Sequence, residues 1–400
     1  MKIDANVCNN VKSIRTRLGM SQQDLANLAG VTRQAISSVE SGQCSPSVAM
    51  SLRLAKALGC QVEELFWIEN NLLEVEAVLT QSVPSGEKIP VSVARVGDRL
   101  IAYPLVGNDA FRIEMIPVDG SAVATARQSN LASFPNEERS NLNGKAQIQA
   151  STNKVQVRLF DDLSKIHNTV VIAGCSPVMS FLAKATERWH PQLRVLYQYA
   201  NSMTALSRLC QGQVHIAGMH LYAPQTGEYN VPFVKEALIG KGCVLITLGF
   251  WEEGLLVQPG NPMGIKTVAD LVKLKATIVN REPGSACHLL LQGKLEEQGI
   301  PLHVVKGFDN IVYNHQSVAL SVVSGIADAG VSTASVASTF GLEFISLHQA
   351  RYDLVILKEY LEESPVKQFL SILGHRLVQS QIEILGGYDI SNIGEVVATI

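Results

Sequence analysis

Charge is scarce in this chain. Asp, Glu, Lys and Arg together make up 17% of its 400 residues, the net charge is −3 and the pI is near 6.3. A chain so close to neutral cannot coat nucleic acid with basic surface in the manner of a histone, although a small reading module on a neutral body remains compatible with it. Disulfide chemistry is missing as well. The cysteines at 8, 44, 60, 175, 210, 243 and 287 are odd in number, widely spaced and never arranged as CxxC. That excludes a disulfide framework or a cysteine zinc knuckle and fits a reducing compartment. No run approaches the roughly 18 uninterrupted apolar residues of a membrane span. The opening MKIDANVCNNVKSIRTRLG has no apolar signal core, so a cytoplasmic location is expected. Exact internal repeats and low-complexity tracts are also missing.

What is present is apolar mass. Hydrophobic residues reach 46%, enough for several packed cores, and the length calls for two or three domains. Charge divides mildly: residues 1–66 hold seven Lys/Arg against five Asp/Glu, or +2, leaving −5 for the remainder. Within 7–66 the apolar spacing predicts five short helices. Val7, Val11, Ile14 and Leu18 form the first face. Ser21 and Thr32 stand where N-caps belong, and Gly30 and Gly42 punctuate. Val48, Leu52, Ala55 and Leu58 give a fourth inward stripe, and QVEELF closes the series. Residues 67–82 read as a helical linker. From 83 to 166, alternating segments and VGD, GND and VDG turns predict a small β-rich connecting segment, with a mobile polar loop at 129–153. From 167 to 400, strands and helices alternate in two series. This predicts parallel sheet covered by helices in two α/β lobes, the second spanning about 265–350.

SQQDLANLAGVTRQAISSVESG sets two helices about a tight glycine turn, the arrangement that places a second helix in the DNA major groove. Through Gln22, Leu25, Ala26, Gly30, Val31, Ile36, Glu40, Gly42 and Pro46 the segment resembles the Cro and phage-repressor (XRE-type) helix-turn-helix family. The resemblance implies that Gln22 touches phosphate. It places Thr32, Arg33, Gln34, Ser37 and Ser38 on the DNA-facing side of the recognition helix. Arg can fork onto guanine and Gln onto adenine. One reading head covers a half-site, so a homodimer on a double-stranded operator is expected, with the apolar stretch Val62, Leu65, Phe66, Ile68, Leu72, Leu73, Val75, Val78 and Leu79 and the 83–128 segment as contacts.

Three strand-to-helix junctions, GCSP (174–177), ANSM (200–203) and PGSA (283–286), place hydroxyls and small residues at helix N-termini, where free N–H groups favour an anion. GCSP, HLYAPQTGEYNVPFV, WEEGLLVQPGNPMGI, VNREPGSACHLLL, NHQSVALSVVSGIADAG, YDLVIL and LGGYDIS resemble the periplasmic-binding-protein-like domain of molybdate-type cytoplasmic sensors. That resemblance implies a type II two-lobe fold closing on molybdate, tungstate, another small oxyanion or a metabolite, with no bound cofactor. Carried over, the ligand would meet Ser176, Asn201 and Ser202 from the first lobe. Arg281, Gly284, Ser285, Ala286, Asn314, His315, Gln316 and Ser332 would come from the second. The pattern departs at GSACH, where Cys287 and His288 replace the Thr-Arg of GSGTR, so a differently charged ligand stays open. No metal site is expected, because His215 and His220 flank a strand and face opposite ways. No catalytic residue is expected either, since nothing in the pattern gives Cys175 a base. Trp67, Trp189 and Trp251 read as packing. The expectation is a multidomain one-component transcription regulator: an all-α helix-turn-helix domain, a β-rich segment and a two-lobe sensor. Two alternatives remain: a small-molecule enzyme using the same cleft, and a binding protein whose helical domain docks a protein.

Overall fold

The computed structural model describes residues 7–68, 72–81, 83, 87–110, 117–123, 154–160 and 162–400. The chain divides into two compact units, Met1–Leu73 and Glu74–Ile400.

The first unit carries helices α1 (Val11–Arg17), α2 (Gln22–Ala29), α3 (Arg33–Glu40), α4 (Val48–Leu58) and α5 (Val62–Leu65). Strand β1 (Val7–Asn9) pairs antiparallel with β2 (Phe66–Ile68), tying the two ends together. Capping sets the helix starts. The Ser21 hydroxyl accepts from the Asp24 amide in a reciprocal capping box, and Thr32 and Ser47 cap α3 and α4. Gly30 (φ 64°) ends α2 in the left-handed region open to glycine. Val11, Leu25, Ala26, Ile36, Val39, Leu54, Leu58 and Leu65 form the core. Val48 and Leu52, expected inside, are exposed, and the inward face of α4 is Ser51, Leu54, Ala55 and Leu58. Val7 belongs to a strand, and Leu18 is exposed.

The helical linker is corrected by the structure. Residues 66–68 are strand, and Glu74–Leu79 form β3. Their apolar residues recur at every second position (Val75, Ala77, Leu79), the period of a half-buried strand and not of a helix. With β4 (Lys88–Val96), β5 (Arg99–Pro104), β6 (Gly120–Val123) and β7 (Lys154–Leu159), β3 closes a barrel in the order β3-β5-β4-β6-β7. Closure leaves no unpaired sheet edge. Of the expected FRIEMIPV strand, 111–116 lie outside the described residues, as does the expected loop 129–153.

The remainder is two-lobed. In chain order it runs α6 (Leu163–His167), β8 (Thr169–Gly174), α7 (Pro177–Trp189), β9 (Arg194–Tyr199), α8 (Ser202–Cys210), β10 (Ile216–Met219), β11 (Tyr222–Ala223), β12 (Glu228–Tyr229) and α9 (Val231–Ala237). Then follow β13 (Cys243–Val257), α10 (Val268–Lys273), β14 (Ile278–Arg281), α11 (Ala286–Glu297), β15 (Ile311–Val312), α12 (His315–Val323), β16 (Ala329–Thr333), α13 (Ala334–Thr339) and β17 (Glu343–Leu357). Helices α14 (Ser364–Ser371) and α15 (Arg376–Leu385) and strands β18 (Tyr388–Asp389) and β19 (Val396–Thr399) complete the chain.

The sheet order is β15-β14-β16-β13-β17-β10-β8-β9. Strands β8, β9 and β10 are mutually parallel in the first lobe, and β14, β15 and β16 in the second. The 15-residue strands β13 and β17 run antiparallel through both lobes, with register shifts at Thr247/Gly249 and Glu253/Gly254. They form the hinge, and the bulged strand bends where the lobes meet. The chain returns to the first lobe midway along β17, so residues after about 350 belong there. The barrel packs on that lobe: Ala94, Val96, Ile101 and Tyr103 share its core, and Arg194 reaches the buried Asp119 carboxylate at 2.6 Å.

Candidate functional site

The recognition helix comes first in the chain. Thr32, Arg33, Gln34 and Ser37 are exposed and Ser38 is half-buried, while Ile36 and Val39 anchor the opposite face of α3. Among the described residues, no ion pair or side-chain hydrogen bond holds the Arg33 guanidinium, so its fork is available. Gln22 is already committed: its amide donates to Glu40 at 2.9 Å, and Glu40 also takes Arg15 at 2.6 Å. Burial opposes ionisation of Glu40, but Arg15 and Gln22 outweigh it and lower its pKa. A side chain seen from the sequence as a phosphate contact therefore also joins α2 to α3.

The cleft is assembled from strand ends. In open α/β sheets, ligands bind beyond the carboxyl ends of parallel strands. Here β8 delivers Cys175 and Ser176, β9 delivers Tyr199 and Asn201, β10 delivers His220, β14 delivers Arg281 and Glu282, and the β15–α12 turn delivers His315. Ser176, Ser202, Ser285 and Ser332 are all buried. Their hydroxyls are engaged. Ser176 and Ser285 accept from the amides of Val178 and His288. Ser202 accepts from the His220 amide at 3.3 Å, and Ser332 Oγ lies 2.9 Å from His315 Nδ1.

Arg281 lies inside the protein. It is 1% exposed and forks onto Glu282 at 2.8 and 2.9 Å, with one nitrogen donating to the Tyr199 hydroxyl at 2.9 Å. Asn201 caps α8 and reaches Glu282 at 3.4 Å. These contacts latch the second lobe to the first. Gly284 takes the left-handed backbone (φ 84°) that favours glycine, beside Met203 and Asn201. Ala286 is buried, and Asn314 caps α12. Gln316 is exposed, one residue beyond the turn that points His315 inward, so the structure does not bring it to the cleft.

At the centre lies a cluster the sequence reading missed. Cys175 Sγ is 3.6 Å from His220 Nδ1, and His220 Nε2 is 2.9 Å from Glu253 Oε1, close but poorly aligned for a linear hydrogen bond. Cys287 points its thiol at the same carboxylate, 3.8 Å away. His315 is 3% exposed, and its Nε2 has no partner among the described residues. Ligand atoms of Cys175, His220 and His315 all lie within 4.8 Å of one another. Burial works against a charge on His220, but Cys175 and Glu253 outweigh it and raise its pKa well above the usual value. Burial, reinforced by Arg281 and His220, lowers the His315 pKa well below the usual value. Burial, with Glu253, pushes the Cys287 thiol up to about 11. His288 turns away into the second lobe, its Nδ1 against the Arg281 carbonyl at 2.9 Å.

His215 and His220 do face opposite ways, as their spacing requires. His215 Nδ1 accepts from the Val171 amide at 2.9 Å, a structural role. The partners of His220 came from 45 residues upstream and from second-lobe elements, which no local spacing reveals. The only sequence signal was three Cys or His residues each standing at a strand end. Trp251 is buried edge-on to His220, Trp67 and Trp189 are partly exposed, and Tyr352 stacks on the other side. The Tyr352 hydroxyl fills the space beside Gly174 and Gly218, where a Cβ would come within 2.3 and 2.1 Å of it.

A helix-turn-helix family model matches residues 11–65, and a PBP superfamily domain model matches residues 183–374. The uncharacterized protein YvgK of Bacillus subtilis (strain 168) is 35% identical over 228 residues, 57% of this chain and 73% of that protein. The uncharacterized HTH-type transcriptional regulator YgzD of the same organism is 41% identical over 61 residues, 15% of this chain and 92% of that protein. Among solved structures, an ABC-type phosphate transport receptor from Vibrio cholerae aligns at 16% identity and a TM-score of 0.40 over 55% of this chain and 99% of that one, too distant to bear on ligand. The chain joins an N-terminal helix-turn-helix domain to a PBP superfamily domain, and over the latter part it belongs with the YvgK protein to one family.

Proposed function

We propose that this protein is a one-component, cytoplasmic transcription regulator. Its first unit reads an operator through Arg33 and Gln34, and the cleft of its second unit binds a small ligand that changes operator affinity. The observation that carries the reading is the joining, in one chain, of a helix with uncommitted base-reading side chains to a buried polar cluster at a lobe junction. A buried polar group without a partner costs stability, so orphaned atoms such as His315 Nε2 and the Trp251 indole N–H support a ligand place. No helix among the described residues is long and apolar enough to cross a membrane.

A homodimer suits a two-fold operator, with reading heads about 34 Å apart. Of the apolar 62–79 stretch, Leu65 and Leu79 serve cores, which leaves Trp67 (43% exposed) and Leu73 (48%) as contact material. For the ligand, four buried serines support a tetrahedral oxyanion such as molybdate or tungstate. Against an anion, the Arg281 guanidinium is already forked onto Glu282, and Glu253 stands against His220 at 2.9 Å.

The test has two parts. Duplexes selected by the protein from a random pool should share a motif, and binding should weaken steeply with salt. A thermal-shift panel of oxyanions, metal ions and organic metabolites should contain a compound that raises the melting temperature by mass action. A chain that selects no motif, or a melting temperature unmoved by the whole panel, would contradict the reading.

A further inference from the structure

Three donors from different parts of the chain meet at the lobe junction, and the second nitrogen of each histidine faces an oxygen at 2.9 Å. His220 presents Nδ1 to Cys175 and keeps Nε2 against Glu253 at 2.9 Å. His315 keeps Nδ1 against Ser332 at 2.9 Å and leaves Nε2 buried and unpartnered. That is how protein metal centres orient imidazoles: one ring nitrogen binds the ion while a carboxylate or hydroxyl fixes the other. Tetrahedral coordination with metal–sulfur and metal–nitrogen bonds near 2.3 and 2.1 Å separates the donors by about 3.4–3.6 Å. The Cys175–His220 distance of 3.6 Å meets this already. The full set, within 4.8 Å, needs side-chain shifts of only about an ångström.

The charges agree. With an ion bound and the protons of Cys175 and of His220 Nδ1 displaced by it, the Cys175 sulfur and Glu253 would supply two negative charges inside the lobe junction, while Arg281 and Glu282 cancel each other. A dication leaves that interior neutral, whereas a dianion adds charge where desolvation makes it expensive. One thiolate with two imidazoles selects borderline-soft ions over calcium or magnesium.

We propose that Cys175, His220 and His315 form a binding site for a divalent, thiophilic transition-metal ion of the zinc type, with the fourth position left to water or a small ligand. The inference rests on the sensor reading and names its ligand class. Because Cys175 and His220 belong to the first lobe and His315 to the second, the ion draws the lobes together.

The experiment uses the full-length, reduced protein, stripped with chelator and desalted. With zinc(II), elemental analysis should find one ion retained per chain. Cobalt(II) should produce a thiolate-to-cobalt charge-transfer band. Cys175→Ser should abolish that band, and His315→Gln and the outer variant Ser332→Ala should weaken zinc binding about tenfold or more. Cys44→Ser, at an exposed position, should change nothing. Failure of wild type to retain zinc, or a cobalt spectrum with no thiolate band, overturns the site, and these readouts need no variant to fold. Equal retention by Cys175→Ser and His315→Gln overturns it too. Molybdate, tungstate and phosphate run in parallel: a rise in melting temperature with one of these and none with metal overturns the metal site and leaves the sensor standing. No response to any of them, with operator affinity unchanged throughout, overturns both.

Discussion

The recognition helix and the cleft solve recognition in opposite ways. Arg33 and Gln34 stand in solvent on one short helix, uncommitted and close in sequence. The cleft residues are buried, most of them bonded to one another, and drawn from strand ends and turns far apart in sequence. A DNA reader approaches its partner from outside, so its donors must be free beforehand. A clamshell excludes water around its ligand, so most of its polar groups satisfy each other and the few left over, such as His315 Nε2, mark the ligand place. Substitutions on α3 should therefore alter binding and spare folding, whereas substitutions in the cleft should strike stability.

The sharpest contrast is at Arg281. Arg281→Met leaves Glu282 without its fork, and removing one partner of a buried pair costs about 3–5 kcal/mol. Urea unfolding followed through the second unit should show that loss, and Arg281→Met with Glu282→Leu should recover much of it. An unchanged midpoint for the single variant would mean the latch is solvated.

Next come the glycines beneath Tyr352. Gly174→Ala clashes with the hydroxyl and otherwise makes ordinary contact with the Gly218 backbone at 3.4 Å, while Gly218→Ala also clashes with ring carbons at 2.7 and 2.8 Å. Overpacking of this kind costs about 1–3 kcal/mol. Tyr352→Phe should rescue Gly174→Ala more fully than Gly218→Ala in a thermal melt. Equal rescue would misplace the ring.

On the DNA side, Arg33→Ala should lose about 1–3 kcal/mol of discrimination between selected and random duplex while the melting temperature holds. Gln22→Ala should weaken binding to both duplexes alike. If Arg33→Ala kept the wild-type ratio, α3 would not be the reader. The smallest effect is Thr32→Ala, which removes the α3 cap and should cost about 1 kcal/mol of stability in the first unit.

Legibility in the sequence followed the same divide. The helix-turn-helix was readable because its caps, glycines and apolar faces are local: Ser21 and Thr32 cap where expected. The 67–82 stretch reads as a helical linker, but its apolar residues at 75, 77 and 79 repeat at the strand period, and only pairing with β5 and β7 reveals the barrel. The lobe alternation was plain, but the hinge was not, since β13 and β17 are long strands whose pairing spans about a hundred residues. Ser176, Ser202 and Ser285 are legible at their strand-to-helix junctions, whereas Arg281, His315 and Ser332 enter only through the family resemblance. His220, Glu253 and Cys287 were missed as cleft residues because they are neighbours only after folding, and Gln316 was carried along by adjacency to His315.

The account's central claim is that the cleft controls the DNA contact. The direct measurement is operator affinity by fluorescence anisotropy, on a selected duplex, with zinc(II), molybdate and tungstate each added at saturation and with none. Reciprocal coupling predicts that one of them shifts affinity by about 5–150-fold, and that operator DNA shifts the affinity for that ligand by the same factor. Superimposable operator curves under every condition, from protein shown to hold one of these ligands, would contradict it.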